Sequence, residues 1–207
     1  MQRCKLILLL CLTLPLSACL NLKQPSNTIE YYTLEYDPFF MGHRQPLSCV
    51  IKVNSFSVSP IYNTNRIIYR DSSFKREAYV YHKWRTNPGE IVTYFLRRDM
   101  KQSNLFKAVL SRNSRLPSSY MLEGMVDEFL EMNREDGWEA LLSVSITFME
   151  ENEPDISKKI LLQKSYSTRK PCMHKNPQAL AQAMSLAMAD ISKRIIKDIY
   201  ELLQDHK

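Results

Sequence analysis

Between Trp138 and Met149 the side chains alternate with a period of two: Leu142, Val144, Ile146 and Phe148 share one side, Ser143, Ser145 and Thr147 the other. That pattern predicts a strand with one covered face and one wet face. Tyr120 to Asn133 and Lys158 to Thr168 flank it across turns at Asp136-Gly137 and Asn152-Glu153-Pro154-Asp155, so the three form an antiparallel meander. Earlier β-forming stretches run from Glu30 to Tyr36 (stopping at Asp37-Pro38), Val50 to Val58, Arg66 to Arg70, Glu77 to Trp84 and Leu105 to Leu110. In the second of these, apolar parity switches from Ile51 and Val53 to Phe56 and Val58. The switch implies a bulge at Asn54-Ser55 or a strand buried on both faces.

Helical spacing occurs twice. Asn87-Pro88-Gly89-Glu90 opens the first helix with a cap, a first-turn proline and a carboxylate at the capping-box position. Ile91, Val92, Phe95, Leu96 and Met100 then form its apolar stripe, with Arg97, Arg98 and Lys101 outward. Asn176-Pro177 opens the second. Leu180, Met184, Ala187, Ile191, Ile195, Ile199 and Leu202 line it as far as Gln204, widened by Ala183, Met188, Ile196 and Leu203. This stripe is either the cover of the sheet or, through Met184 and Met188, a partner groove. The order of elements predicts a two-layer α+β domain: a mixed, mostly antiparallel sheet with a C-terminal three-strand meander, covered by two helices.

The amino terminus has a different character. Arg3 and Lys5 precede an apolar run from Leu6 to Leu14, too short to span a bilayer, which needs roughly 17–25 residues. It ends in Leu16-Ser17-Ala18-Cys19, which resembles a bacterial lipoprotein signal. That resemblance implies cleavage before Cys19 and acylation of its thiol and new amino group, palmitate included; the alternative is an ordinary cleaved signal with an incidental cysteine. Residues 1–18 are thus the signal, 19–29 a lipidated tether, and 30–207 one domain. Loss of the signal lowers the net charge from +6 to +4, too mild for nucleic acid, for which no aromatic-basic motif speaks.

Candidate chemistry is sparse. Gly42, Gly89, Gly124 and Gly137 follow neither phosphate-loop nor dinucleotide spacing. His43, His82, His174 and His206 are scattered, and no Gly-x-Ser-x-Gly turn is present. The carboxylates Glu123, Asp127, Glu128, Glu131, Glu135 and Asp136 read as a solvated face rather than acid-base machinery. No enzyme activity, cofactor or metal is therefore expected. Cys49 and Cys172 sit in a chain bound for an oxidising compartment and either form a disulfide or remain small buried thiols.

Residues 44–118 carry 14 basic and 4 acidic side chains, and residues 119–155 carry 1 basic and 11 acidic. These charges either face water or make two surfaces that steer a partner or a second copy of the chain, a homo-oligomer. Tyr79, Tyr81, Glu128 and Glu131 are the candidates for that interaction surface. Tyr79 and Tyr81 share one face of their strand, with Ala78, Val80 and Trp84 on the other. Trp84 should pack beneath Phe95 or its neighbours.

From Ser59-Pro60-Ile61-Tyr62 through Arg66-Ile67-Ile68-Tyr69-Arg70, His82-Lys83-Trp84 and Asn87-Pro88 to Leu105-Phe106-Lys107-Ala108-Val109, the chain resembles the ABC-type transport auxiliary lipoproteins. This is the family of the lipoprotein component of the paraquat-inducible lipid transport system. Arg85-Thr86 departs from its pattern, which often has a small residue after the tryptophan. The resemblance implies a non-enzymatic periplasmic component beside an ABC permease, its ATPase and a mammalian-cell-entry type protein, moving lipids or other hydrophobic compounds. Leu20 after the lipidated cysteine, where an inner-membrane lipoprotein often has aspartate, favours the outer membrane. Two other classes fit the same residues: an envelope scaffold or activator unconnected with transport, and a lipid-carrying module with its own apolar cavity.

Overall fold

A computed structural model of the chain describes residues 28–39, 42, 44–71 and 74–205. The signal, Cys19 and most of the tether lie outside them, as do His43 and His206. The strands are β1 Glu30–Tyr32, β2 Leu47–Val53, β3 Ser57–Val58, β4 Arg66–Arg70, β5 Glu77–Trp84, β6 Phe106–Ser111, β7 Tyr120–Asn133, β8 Trp138–Glu150 and β9 Ile160–Pro171. The helices are α1 Pro88–Gln102, the single turn α2 Ile156–Lys159 and the long α3 Pro177–Asp205, with a 3-10 turn at Pro60–Tyr62.

β7 is the axis of the nine-stranded sheet. One of its edges pairs antiparallel with β8 over its full length, and β8 pairs in turn with β9, giving the meander the alternation predicts. The other edge is shared along its length by β2, β3 and β4, all parallel to β7. β6 extends the sheet from β2 in parallel, while β5 pairs antiparallel with β4 and carries β1 in parallel on its far side. The sheet is therefore mixed. Its two longest ladders are antiparallel, and the short N-terminal strands dock onto them mostly in parallel.

The parity switch in the second β-forming stretch has a structural cause. Val53 lies opposite Leu122 and Ser57 opposite Met125, so this side spends one residue more than β7 over the same distance. Phe56 fills the extra space, turning inward to 5 % exposure over Gly124. A side chain on Gly124 would meet the Phe56 ring and the Ser145 carbonyl at 2.4 Å, so glycine alone fits between them. The first stretch is shorter than predicted. After Tyr32 the chain leaves β5 and crosses onto the helices: Leu34 is buried, the Glu35 amide donates to Ser185 Oγ at 3.0 Å, and Tyr36 stacks on Phe95.

The main core lies between the sheet and the two long helices. Leu142, Val144, Ile146 and Phe148 of β8 meet Leu180, Met184, Met188, Ile191 and Ile195 of α3, all at most 1 % exposed. Met184 and Met188 are thus core rather than a partner groove. Trp84 is in the same core, its ring meeting Phe129 edge-on at 5.1 Å. A smaller cluster of Tyr62, Ile68, Leu130, Met132 and Leu141 closes the opposite face of the sheet.

Asn87 caps α1 as its sequence position requires, its side chain accepting from the Gly89 amide at 2.9 Å. Glu90 does not complete a capping box; its carboxylate takes the Thr86 hydroxyl. Asn87→Ala is expected to cost about 1 kcal/mol, read as a lowered urea midpoint at unchanged slope.

Candidate functional site

The wet face of the meander is a built concavity. Alternate residues of three strands point away from α3: Glu123 and Met125 of β7, Ser145 and Thr147 of β8, Gln163 and Ser165 of β9. With Asn54, Ser57 and Arg112 on its rim they line a groove of about 780 Å³. Ser145 is its polar centre, donating to Asp127 and lying 3.1 Å from the Ser165 hydroxyl. Asp127 keeps the parity of Glu123 and Met125 and so reaches this face, and β7 carries one extra residue there, Val126 pairing with Val144 but Glu128 with Ser143.

Such a lining offers hydroxyls, amides, a guanidinium and carboxylates. An acyl chain laid on it would strip the water from the charged Glu123 and Arg112. A polar segment of another protein would satisfy them. Beside the groove, Lys164 and the Tyr166 hydroxyl both reach Asp198 of α3, at 2.7 and 2.6 Å. Burial pushes the Asp198 carboxyl up, but the lysine and tyrosine outweigh it and hold it below the usual range.

The extra residue at Asp127 turns Glu131 inward, and this corrects the expected interaction surface. After the bulge Phe129 and Glu131 face the main core, opposite Leu142 and Ala140. Glu131 is 0 % exposed and accepts the Tyr79 hydroxyl at 3.1 and 3.2 Å. Burial raises its carboxyl to about 7 against an ordinary 4.5, the tyrosine bond partly opposing. Tyr79 is half-buried and its phenol is pushed up by burial and by Glu131. Glu128 is half-buried, and of the four candidates only Tyr81 is exposed.

Strand β5 explains the tyrosines. Between the pairs Arg66–Lys83 and Ile68–Ala78 it uses three residues more than β4. The excess breaks its alternation, so Val80, expected on the covered face, is 60 % exposed. The charged segments also meet within the molecule: Lys52 of the basic one bonds Glu151 of the acidic one at 3.1 Å.

No disulfide joins Cys49 and Cys172, because they sit at opposite ends of the β7–β8 hairpin. Cys49 precedes Val50, whose carbonyl takes the Ser119 amide at the start of β7. The Cys172 amide bonds the Trp138 carbonyl, next to the end of β7. Roughly 40 Å of strand separates the two ends at about 3.3 Å per residue, whereas a disulfide needs Cα atoms about 4.4–6.8 Å apart. Burial and the nearby Glu131 raise the Cys172 thiol to about 11, so it is held protonated and unreactive.

Sequence reasoning passed over two features. Asp99 of α1 is fully buried, accepting the Tyr36 hydroxyl at 2.7 Å and the Arg98 Nε–H at 2.9 Å. Arg98, expected outward, lies over the Tyr36 and Phe95 rings at 4.4 and 4.7 Å. Both depend on the crossing of residues 33–37 over α1, for which the pattern holds no signal. Among the described residues no group of three or more His, Cys, Asp or Glu side chains is placed to hold a metal, and no helix is long and apolar enough to cross a membrane.

Comparison with known proteins gives one family and one fold. The model of the ABC-type transport auxiliary lipoprotein component matches residues 32–196. No curated protein matches the chain. Among solved structures, a Xanthomonas campestris protein of the family DUF330 superposes with a TM-score of 0.74 at 16% identity, covering 86% of this chain and 98% of its own. An uncharacterized protein gives 0.65 at 14% identity, covering 83% and 99%. A hypothetical protein from Chlamydia trachomatis gives 0.50 at 8% identity, covering 74% and 96%.

Proposed function

The chain belongs to the ABC-type transport auxiliary lipoprotein family, and from that premise we propose that it is a lipid-anchored, non-catalytic docking component of a transport system of the cell envelope. The family match over residues 32–196 carries this reading. In it, Cys19 is acylated and holds the domain on the periplasmic side, Leu20 favouring the outer membrane. The partners are an ABC permease with its ATPase and a mammalian-cell-entry type protein, and the cargo is a lipid or other hydrophobic compound. The groove supports docking over carriage: its lining suits a protein surface and repels an acyl chain. Energy then comes from the partner ATPase.

Two or more acyl chains hold a protein on a membrane where one barely does. Cys19→Ser is therefore expected to abolish palmitate labelling and to move the protein from the membrane to the soluble envelope fraction. Labelling and membrane association that both survive unchanged would refute the anchor.

A further inference from the structure

The path of β1 says which end of the domain faces the anchor. Glu30 pairs with His82 and Tyr32 with Trp84 in parallel register. From Tyr32 back to Glu30 the strand therefore points toward the start of β5, the end at which β4 and β5 are joined. Cys19 is nine residues before Thr28, a reach of roughly 30 Å at about 3.3 Å per residue. The β4–β5 junction lies at the same end as the β7–β8 turn and the end of β9, since Arg70 pairs with Met132 and Glu139 with Pro171.

Apolar side chains are left in water at both ends, Leu116, Ile156 and Ile160 at the far one, but at the anchor end one of them is also strained. Phe74 is fully exposed and has φ +64°, the left-handed region in which a bulky side chain is strained. The fold gains no packing from this aromatic, and strain kept without packing points to a use outside the domain. Met173, following β9, is 82 % exposed on the same end, and Val80 lies along the path toward the tether. The charges there are mixed: Arg70, Lys75 and Arg76 against Asp71 and Glu77 on the hairpin, with Lys75 paired to Glu77. Apolar contact, not net charge, is what this end offers.

We propose that Phe74, just before β5, rests on the bilayer that holds the acyl anchor, its ring in the interfacial layer. The inference rests on the acylation of Cys19 and adds an orientation to it. The Arg112–Ser118 segment and the Glu123 end of the groove, at the start of β7, then point away from the membrane toward protein partners.

The test uses the full lipidated chain in phosphatidylethanolamine–phosphatidylglycerol vesicles whose acyl chains carry bromine, a contact quencher of indole. Phe74→Trp is compared with Leu116→Trp, an exposed position at the opposite end, each read as emission added over the native tryptophans. Loss of most of the emission added at 74, with that added at 116 retained, is the expected result. A chain that floats with the vesicles but is quenched equally at both positions overturns the orientation and leaves the anchor standing. A chain that does not float overturns both.

Discussion

Trp84→Ala is expected to destabilise the domain by about 3–5 kcal/mol, the usual loss for a large aromatic removed from a core. Trp84 is 1 % exposed at the end of β5, edge-on to Phe129 at 5.1 Å, and β1 pairs across its backbone. Its removal empties the junction where the N-terminal strands dock onto β7. In a domain of this size the loss lowers the melting temperature by roughly 6–20 °C. An unchanged midpoint together with weakened partner binding would place Trp84 at an interface instead.

Glu131 is expected to make stability fall as the pH rises. Its carboxyl is raised by burial from 4.5 to about 7, so between these values the folded state holds a proton that the unfolded state releases. The contribution is complete below about pH 4.5, is lost progressively up to 7 and is flat above. At 1.36 kcal/mol per unit the loss is about 3 kcal/mol. The lowered carboxyls of Glu151 and Asp198 act the other way, but only at acid pH, below their ordinary values. Glu131→Gln removes the titration while keeping an acceptor for Tyr79. The check is the difference between wild type and variant in urea midpoints from pH 4.5 to 8. A difference that does not change with pH would mean that Glu131 is ionised throughout in the fold.

The elements were legible in the sequence where one rule decided each of them. β8 alternates without a break, α3 keeps one stripe from Leu180 to Leu203, and Asn87 caps where its position requires. Phe56 was legible as a parity switch, because apolar residues stand on both sides of the slip. The bulge at Asp127 was not, since Phe129 and Leu130 are both apolar and either could face the core. That one residue moves Glu131 from the expected surface to the interior. The separation of Cys49 from Cys172 and the direction of the tether depend on which strands pair in parallel, a long-range property that local alternation does not encode. The groove was half legible: Ser145 and Thr147 read as a wet face, but Asn54, Arg112 and Gln163 reach it only through the sheet order.

Docking through the groove is the centre of the functional reading, and photo-crosslinking in intact cells tests it most directly. A benzophenone side chain placed at Thr147 of the full-length lipoprotein lies on the groove floor and disturbs no core contact. Irradiation followed by mass spectrometry is expected to give adducts with the permease or the mammalian-cell-entry type protein of one transport system. Adducts with lipid alone, or with proteins unconnected to any ABC system, would contradict it.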